Sequence, residues 1–165
     1  MVLVGPPGSG KSTVGAALAT LLGLPLHDTD AAIEAAQGRT IYDIFVEDGE
    51  PTFRALERAE VARAVAEEGG VLALGGGAPV DPSTEAVLAG QTVVFLDVGI
   101  ADAAKRVGFD GSRPLLAINP RATWTKMMNE RRPTYEGLAT VRVNPAGRAV
   151  ADVVTEIVEH LRASR

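Results

Sequence analysis

The 165-residue chain is 46% apolar and 22% charged, which excludes a disordered polymer and predicts one domain (residues 1–165) able to bury a core unaided. Cysteine is absent, so disulfides, thiolate metal centres and a cysteine nucleophile are excluded. The net charge of −5 argues against a general nucleic-acid or membrane-surface binder, although residues 1–104 hold 5 basic and 15 acidic side chains while 105–142 hold 8 and 3. That basic segment reads either as a solvated arginine-rich face or as a receptor for a small anion. No stretch reaches the ~20 apolar residues that span a bilayer. The apolar run Val14 to Leu26 has the outline of a secretory leader, but a glycine-rich stretch precedes it and a buried helix explains it. The expectation is a cytoplasmic monomer acting on small molecules, with neither nucleic acid nor membrane as partner.

Met1 to Val4 is a short apolar run ending at Gly5 and reads as a buried strand. Lys11 to Leu22 follows as a helix, with Val14, Leu18, Leu21 and Leu22 on one stripe. Leu24 to His27 is a second strand, ending in Asp28-Thr29-Asp30. Thr40, with Asp43 three residues on, opens a helix, and Glu50 to Glu68 is a long periodic one. Val71 to Leu74 is a strand running into Gly75-Gly76-Gly77, and Thr92 to Val98 is a further strand rich in β-branched residues. Residues 107–120 carry Gly, Asp and Pro without a period and read as a long loop. Helix resumes over 121–132, a strand covers Thr140 to Val143, and a helix from about Arg148 closes the chain. Strands alternating with helices predict a doubly wound α/β domain, with about five parallel strands covered on both faces.

Gly5-Pro-Pro-Gly-Ser-Gly-Lys11-Ser12 fits the pattern of a loop that wraps phosphates between a strand and a helix. Its glycines let backbone N–H groups point inward, and the helix N-terminus favours negative charge. Lys11 would reach the outer phosphates, and the Ser12 hydroxyl would face Mg²⁺. At this composition, chance supplies roughly 0.003–0.004 such matches, so a mere glycine-rich turn is a poor explanation.

Other patterns are weaker singly. Asp28 and Asp30 end a strand on the same side, suited to a metal and a substrate hydroxyl, although an Asp at a helix start is often just a cap, and Asp30 fits that too. Arg54 and Glu57 share a helix face, as a guanidinium fork aimed at a carboxylate or as a surface ion pair. Gly75 to Gly77, directly after a strand, suggest backbone lying close to a ligand. Arg113 sits in the aperiodic loop, and Arg131-x-Pro133-x-Tyr135 ends a helix. Val93 to Asp97 is an apolar run ending in a carboxylate, which also suits a magnesium-side strand.

In this order, GSGKS at 8–12, DTD at 28–30, FRxxE at 53–57, LGGG at 74–77, RPLL at 113–116 and RxPxY at 131–135 make the chain resemble the shikimate kinases over nearly its whole length. The resemblance implies a P-loop fold like that of nucleoside-monophosphate kinases. It also implies ATP- and Mg²⁺-dependent phosphorylation of the 3-hydroxyl of shikimate, in the route to aromatic amino acids. Gly8, Ser9, Gly10, Lys11, Ser12 and Thr13 are then expected around the phosphates, with Arg106 and Arg148 on the adenine side and Ser12 and Asp28 at the metal. The implied substrate contacts are Asp30, Arg54, Gly76 and Arg131, with Glu57, Gly75 and Gly77 beside them and Ile41, Phe45 and Phe53 walling the ring. Lys11, Asp30 and Arg113 form the implied catalytic set, within a substrate region at about 30–62 and a lid at about 107–120. The rivals are a gluconate or nucleoside-monophosphate kinase and a non-catalytic ATP-binding switch. Residues 30–60 offer no base-recognising pocket, and a switch needs no acceptor residues.

Overall fold

The opening apolar run becomes β1 (Val2–Val4) in the computed structural model, which describes residues 1–107 and 119–163. With β2 (Leu26–Asp28), β3 (Val71–Ala73), β4 (Val93–Leu96) and β5 (Val141–Val143) it builds one parallel sheet of order β2-β3-β1-β4-β5. Among the described residues eight α-helices flank it: α1 (Lys11–Leu22), α2 (Thr29–Gln37), α3 (Ile41–Asp48), α4 (Glu50–Glu67), α5 (Pro82–Leu88), α6 (Ile100–Val107), α7 (Pro120–Leu138) and α8 (Val150–Ala163). None of them is long and apolar enough to cross a membrane.

Successive strand residues point to opposite faces, so one apolar run feeds two cores. Val2, Val4 and Phe95 pack with Val61 of α4 and Trp124, Met128 and Tyr135 of α7. Leu3, Val94 and Leu96 pack on the other face with Val14 and Leu18 of α1 and Val154 and Ile157 of α8. A third, small cluster of Ile33, Ile44 and Phe53 joins α2, α3 and α4 beside the sheet.

Local chemistry sets the ends of these elements. Gly10, at φ 90°, turns the chain from the phosphate loop into α1. Thr40 and Asp43 form a full reciprocal capping box at the start of α3.

Three expectations need correcting. Leu21 and Leu22 of α1 are 61% and 37% exposed, so its buried side is Val14, Leu18 and Ala19. Short helices α2, α5 and α6 form over stretches where the sequence pattern announces no element. The third concerns α7, which does not stop at residue 132 but runs through Pro133 to Leu138. A proline inside a helix loses a hydrogen bond and costs about 3 kcal/mol. Here Arg132 bonds Asp97 and the Tyr135 hydroxyl bonds the Gly76 carbonyl, so tertiary contacts hold the turns on either side.

Candidate active site

The loop between β1 and α1 is held by donors to its carbonyls. Lys11 Nζ donates to the Gly5 and Pro6 carbonyls at 2.8 and 3.2 Å, and Ser9 N–H donates to Pro6 at 3.2 Å. Arg106 of α6 donates to the Ser9 carbonyl at 3.3 Å and to the Pro145 carbonyl at 3.0 Å, joining the loop to the segment after β5. Arg148 stands at the edge of that segment, held by Glu156 at 2.5 Å and by the Asn144 carbonyl. These groups surround a cavity of about 540 Å³, which Gly8, Gly10, Lys11, Ser12 and Thr13 line on one side and Asp28, Asp30 and Gly76 on another. Ser9 is buried in the loop beneath.

Asp28 ends β2 with an extended backbone, and one carboxylate oxygen caps α2 by accepting from the Asp30 and Ala31 N–H groups at 3.0 and 3.2 Å. The other oxygen accepts from Ser12 Oγ at 2.8 Å. The cap at this junction is therefore Asp28, while Asp30, two residues further in, faces the cavity. Thr29 between them is fully buried, donates weakly to the Ala73 carbonyl and accepts from Gly75 N–H at 3.1 Å. That contact draws the start of α2 onto the glycine turn.

Around this turn the acceptor candidates converge. A Cβ on Gly75 would lie 2.5 Å from Asp30 Oδ1 and 2.8 Å from Glu57 Oε1, and one on Gly77 would collide with the Arg54 guanidinium. A Cβ on Gly76 would lie 3.5 Å from Arg131 Nη1. Gly75 and Gly77 are thus needed for close approach, and Asp30, Arg54, Glu57 and Arg131 are neighbours despite their distance in sequence. Arg54 Nη1 donates to Glu57 Oε2 at 2.6 Å, and its Nε and Nη2 donate to Glu50 Oε1 at 3.3 Å. Its guanidinium also lies 5.2 Å from the centre of the Phe53 ring and 6.0 Å from that of Phe45. Phe53 itself is buried in the third core cluster, with Ile41 and Phe45 packed partly buried against it. Burial pushes the Glu57 carboxyl above its ordinary value, although Arg54 and Arg131 oppose the shift. Burial likewise raises the Tyr135 hydroxyl, with Arg131 opposing.

Asp97, the other carboxylate at a strand end, is spent elsewhere. It accepts from Arg132 at 2.9 Å and from Arg142 at 2.5 Å, tying α7 to β4 and β5. Burial pushes its carboxyl up, but the two arginines outweigh burial and hold it below the ordinary aspartate value. A depressed carboxyl adds stability above the unfolded pKa of ~3.9, and that stability is lost as pH falls through the lower folded value. Asp97→Asn is therefore expected to cost about 1–2 kcal/mol at neutral pH, with the gap from the parent closing below about pH 4. Thermal melting between pH 7 and 2.5 measures the gap, and a gap independent of pH would show that the charge is not what matters.

Sequence reasoning missed Glu50, whose i, i+4 spacing from Arg54 was a usable signal, and it missed the Tyr135 hydroxyl, Thr29 and Trp124. Arg113, with most of the 107–120 segment, lies outside the described residues.

The family model described as shikimate kinase matches residues 7–162. A shikimate kinase of Salinispora arenicola is 52% identical over 162 residues, covering 98% of this chain and 97% of that protein. One of Thermobifida fusca is 53% identical over 163 residues, covering 99% and 95%. Among solved structures, the shikimate kinase of Acinetobacter baumannii in complex with shikimate superposes with a TM-score of 0.95 at 33% identity, covering 99% of this chain and 93% of that one.

Proposed function

The chain belongs to the shikimate kinase family, and we infer from that membership and from the site that it transfers the γ-phosphoryl group of ATP to the 3-hydroxyl of shikimate, a step towards aromatic amino acids. One observation carries the reading: Asp30, Arg54, Glu57 and Arg131 meet over the Gly75–Gly77 turn, beside a phosphate-wrapping loop. A nucleotide switch has no use for that second set, and residues 30–60 carry no pattern for recognising a nucleoside base.

The loop N–H groups and Lys11 bind the phosphates, and Arg106 and Arg148 border the space left for the adenosine. Arg54 and Arg131 hold the acceptor's carboxylate, Phe45, Phe53 and Ile41 back that pocket, and Glu57 fixes the Arg54 fork from behind. Asp30 orients the attacking hydroxyl and receives its proton. A bond forms between the acceptor oxygen and the γ-phosphorus as the bond to the bridging oxygen breaks, and ADP leaves. Positioning and charge stabilisation supply most of the rate in such transfers. By the resemblance, Arg113, which lies outside the described residues, would be a further cation for the phosphates.

Ser12 and Asp28 present hard oxygen ligands at the mouth of the loop, 2.8 Å apart. Among the described residues no group of three or more His, Cys, Asp or Glu forms a protein cage for a metal. That donor set fits Mg²⁺, which keeps waters and takes one or two protein ligands beside phosphate oxygens. Bound there, Mg²⁺ would neutralise charge on the β- and γ-phosphates.

A coupled assay offering shikimate, gluconate, AMP or no acceptor tests the reading. ADP release is expected with shikimate and near background otherwise. Equal release with gluconate or AMP, or release that needs no acceptor, would overturn it.

A further inference from the structure

Helix α7 touches both halves of the site along one stripe. Trp124, Met128, Arg131 and Tyr135 follow one another at intervals of four, three and four residues, which places them on a single helix face. At one end the Trp124 indole N–H donates to the Pro7 carbonyl of the phosphate loop at 3.0 Å. At the other the Tyr135 hydroxyl donates to the Gly76 carbonyl of the glycine turn at 2.6 Å. Between these points the two loops leave room for little more than a methyl group, since a Cβ on Gly76 would lie at ordinary contact distance, 3.4 Å, from Pro7 Cδ and from the Gly5 carbonyl oxygen. Pro6 and Pro7 carry no N–H, so this limb of the loop can be anchored only through its carbonyls.

We propose that Trp124 is a positioning residue for phosphoryl transfer: through its indole N–H on Pro7 it fixes the distance between the phosphate loop and the glycine turn. The proposal rests on the reading of these two loops as donor and acceptor sites. Each substrate binds mainly to its own loop, so a small shift of one loop against the other is felt little in the separate binding steps. It is felt when the two reacting atoms must line up, where a displacement of about 1 Å can cost on the order of a hundredfold. The effect therefore belongs in kcat and not in KM.

Trp124 is the chain's one tryptophan, so biosynthetic replacement of tryptophan by benzothienylalanine changes this site alone. The analogue keeps the bicyclic shape and replaces the N–H by sulfur, which separates the hydrogen bond from the packing of a side chain only 2% exposed. Trp124→Phe removes the same donor with a smaller ring, and Met128→Leu changes packing on the same stripe without touching either loop's hydrogen bonds. Steady-state kinetics would be run with each substrate varied at saturation of the other, and melting would be followed alongside. The expected result for the analogue and for Trp124→Phe is a kcat about tenfold below the parent, with both KM values within about twofold. Met128→Leu is expected to keep the parent's kcat.

A kcat within twofold of the parent in the analogue protein would overturn the proposal. So would a rise in the KM for ATP with kcat unchanged, which would assign Trp124 to nucleotide binding alone. A loss in Met128→Leu equal to that of the analogue would reduce the effect to packing. The acceptor reading is judged separately, on whether the unmodified enzyme needs shikimate to release ADP.

Discussion

Lys11→Ala is expected to lose at least a hundredfold to a thousandfold in kcat while remaining folded. Removing one preorganised donor from a developing transition-state charge typically costs about 2.7–4 kcal/mol in other enzymes, and Lys11 brings a full charge as well as a donor. The structural loss is smaller. Nζ is partly buried and donates to the Gly5 and Pro6 carbonyls, and such bonds are worth about 0.5–1.5 kcal/mol each in net stability. For a domain of this size that corresponds to a melting shift of roughly 2–10 °C. Steady-state kinetics and thermal melting on the same preparation separate the two effects. Parent-like turnover in a well-folded variant would remove Lys11 from the phosphate site.

Arg54→Lys should damage the acceptor side far more than the nucleotide side. A planar fork can meet a carboxylate with two parallel bonds, whereas an ammonium is a point charge. Charge-assisted bonds contribute about 1.5–3 kcal/mol each, so losing one should lower kcat/KM for shikimate about tenfold to a hundredfold. Burial and contacts make the surface-pair alternative untenable as an explanation of the geometry: the Glu57 side chain is only 3% exposed, and Arg54 lies over two aromatic rings. An exposed pair would be worth only about 0–1 kcal/mol and would predict almost no kinetic effect. Glu57→Gln should weaken the same step less, because an amide oxygen still accepts from the guanidinium but no longer balances Arg54 and Arg131. Varying shikimate at saturating ATP, and then the reverse, measures both. A specificity constant for shikimate within twofold of the parent in Arg54→Lys would mean that the carboxylate is held elsewhere.

The parts of the site that could be read from the sequence are those made by consecutive residues. Residues 5–12 carry their loop pattern in consecutive positions, so the pattern and the structure coincide, although Arg106 and Trp124 tie the loop to distant elements. The Thr40–Asp43 capping box is legible for the same reason. Where two local preferences compete, tertiary contacts decide. Asp28 and Asp30 are both good caps by residue type, and the extended backbone at the end of β2 gives the role to Asp28. Pro133 is a sound stop signal, and α7 overrides it because Arg132 and Tyr135 are bonded to other elements. The buried stripe of α1 is narrower than its apolar pattern, since Leu21 is 61% exposed. Trp124 is illegible for a different reason: its partner Pro7 is 117 residues away, and no short pattern announces such a bond.

The strand order has a consequence for how this protein is made. Val2 of β1 pairs with Leu72 on one side and Val93 on the other, partners that a ribosome supplies about 70 and about 90 residues later. Closing such long segments carries an entropic cost that is recovered only when both neighbours arrive, which makes central parallel strands slow to assemble. β1 is therefore fixed long after it is synthesised, and the nucleotide loop attached to it takes its working shape only once β3 and β4 are available. The anchor on Pro7 delays it further, because Trp124 leaves the ribosome after β4. ATP in the cell then stabilises chains already synthesised through most of α7, since a ligand that binds only the assembled state draws the equilibrium towards it without guiding the earlier steps.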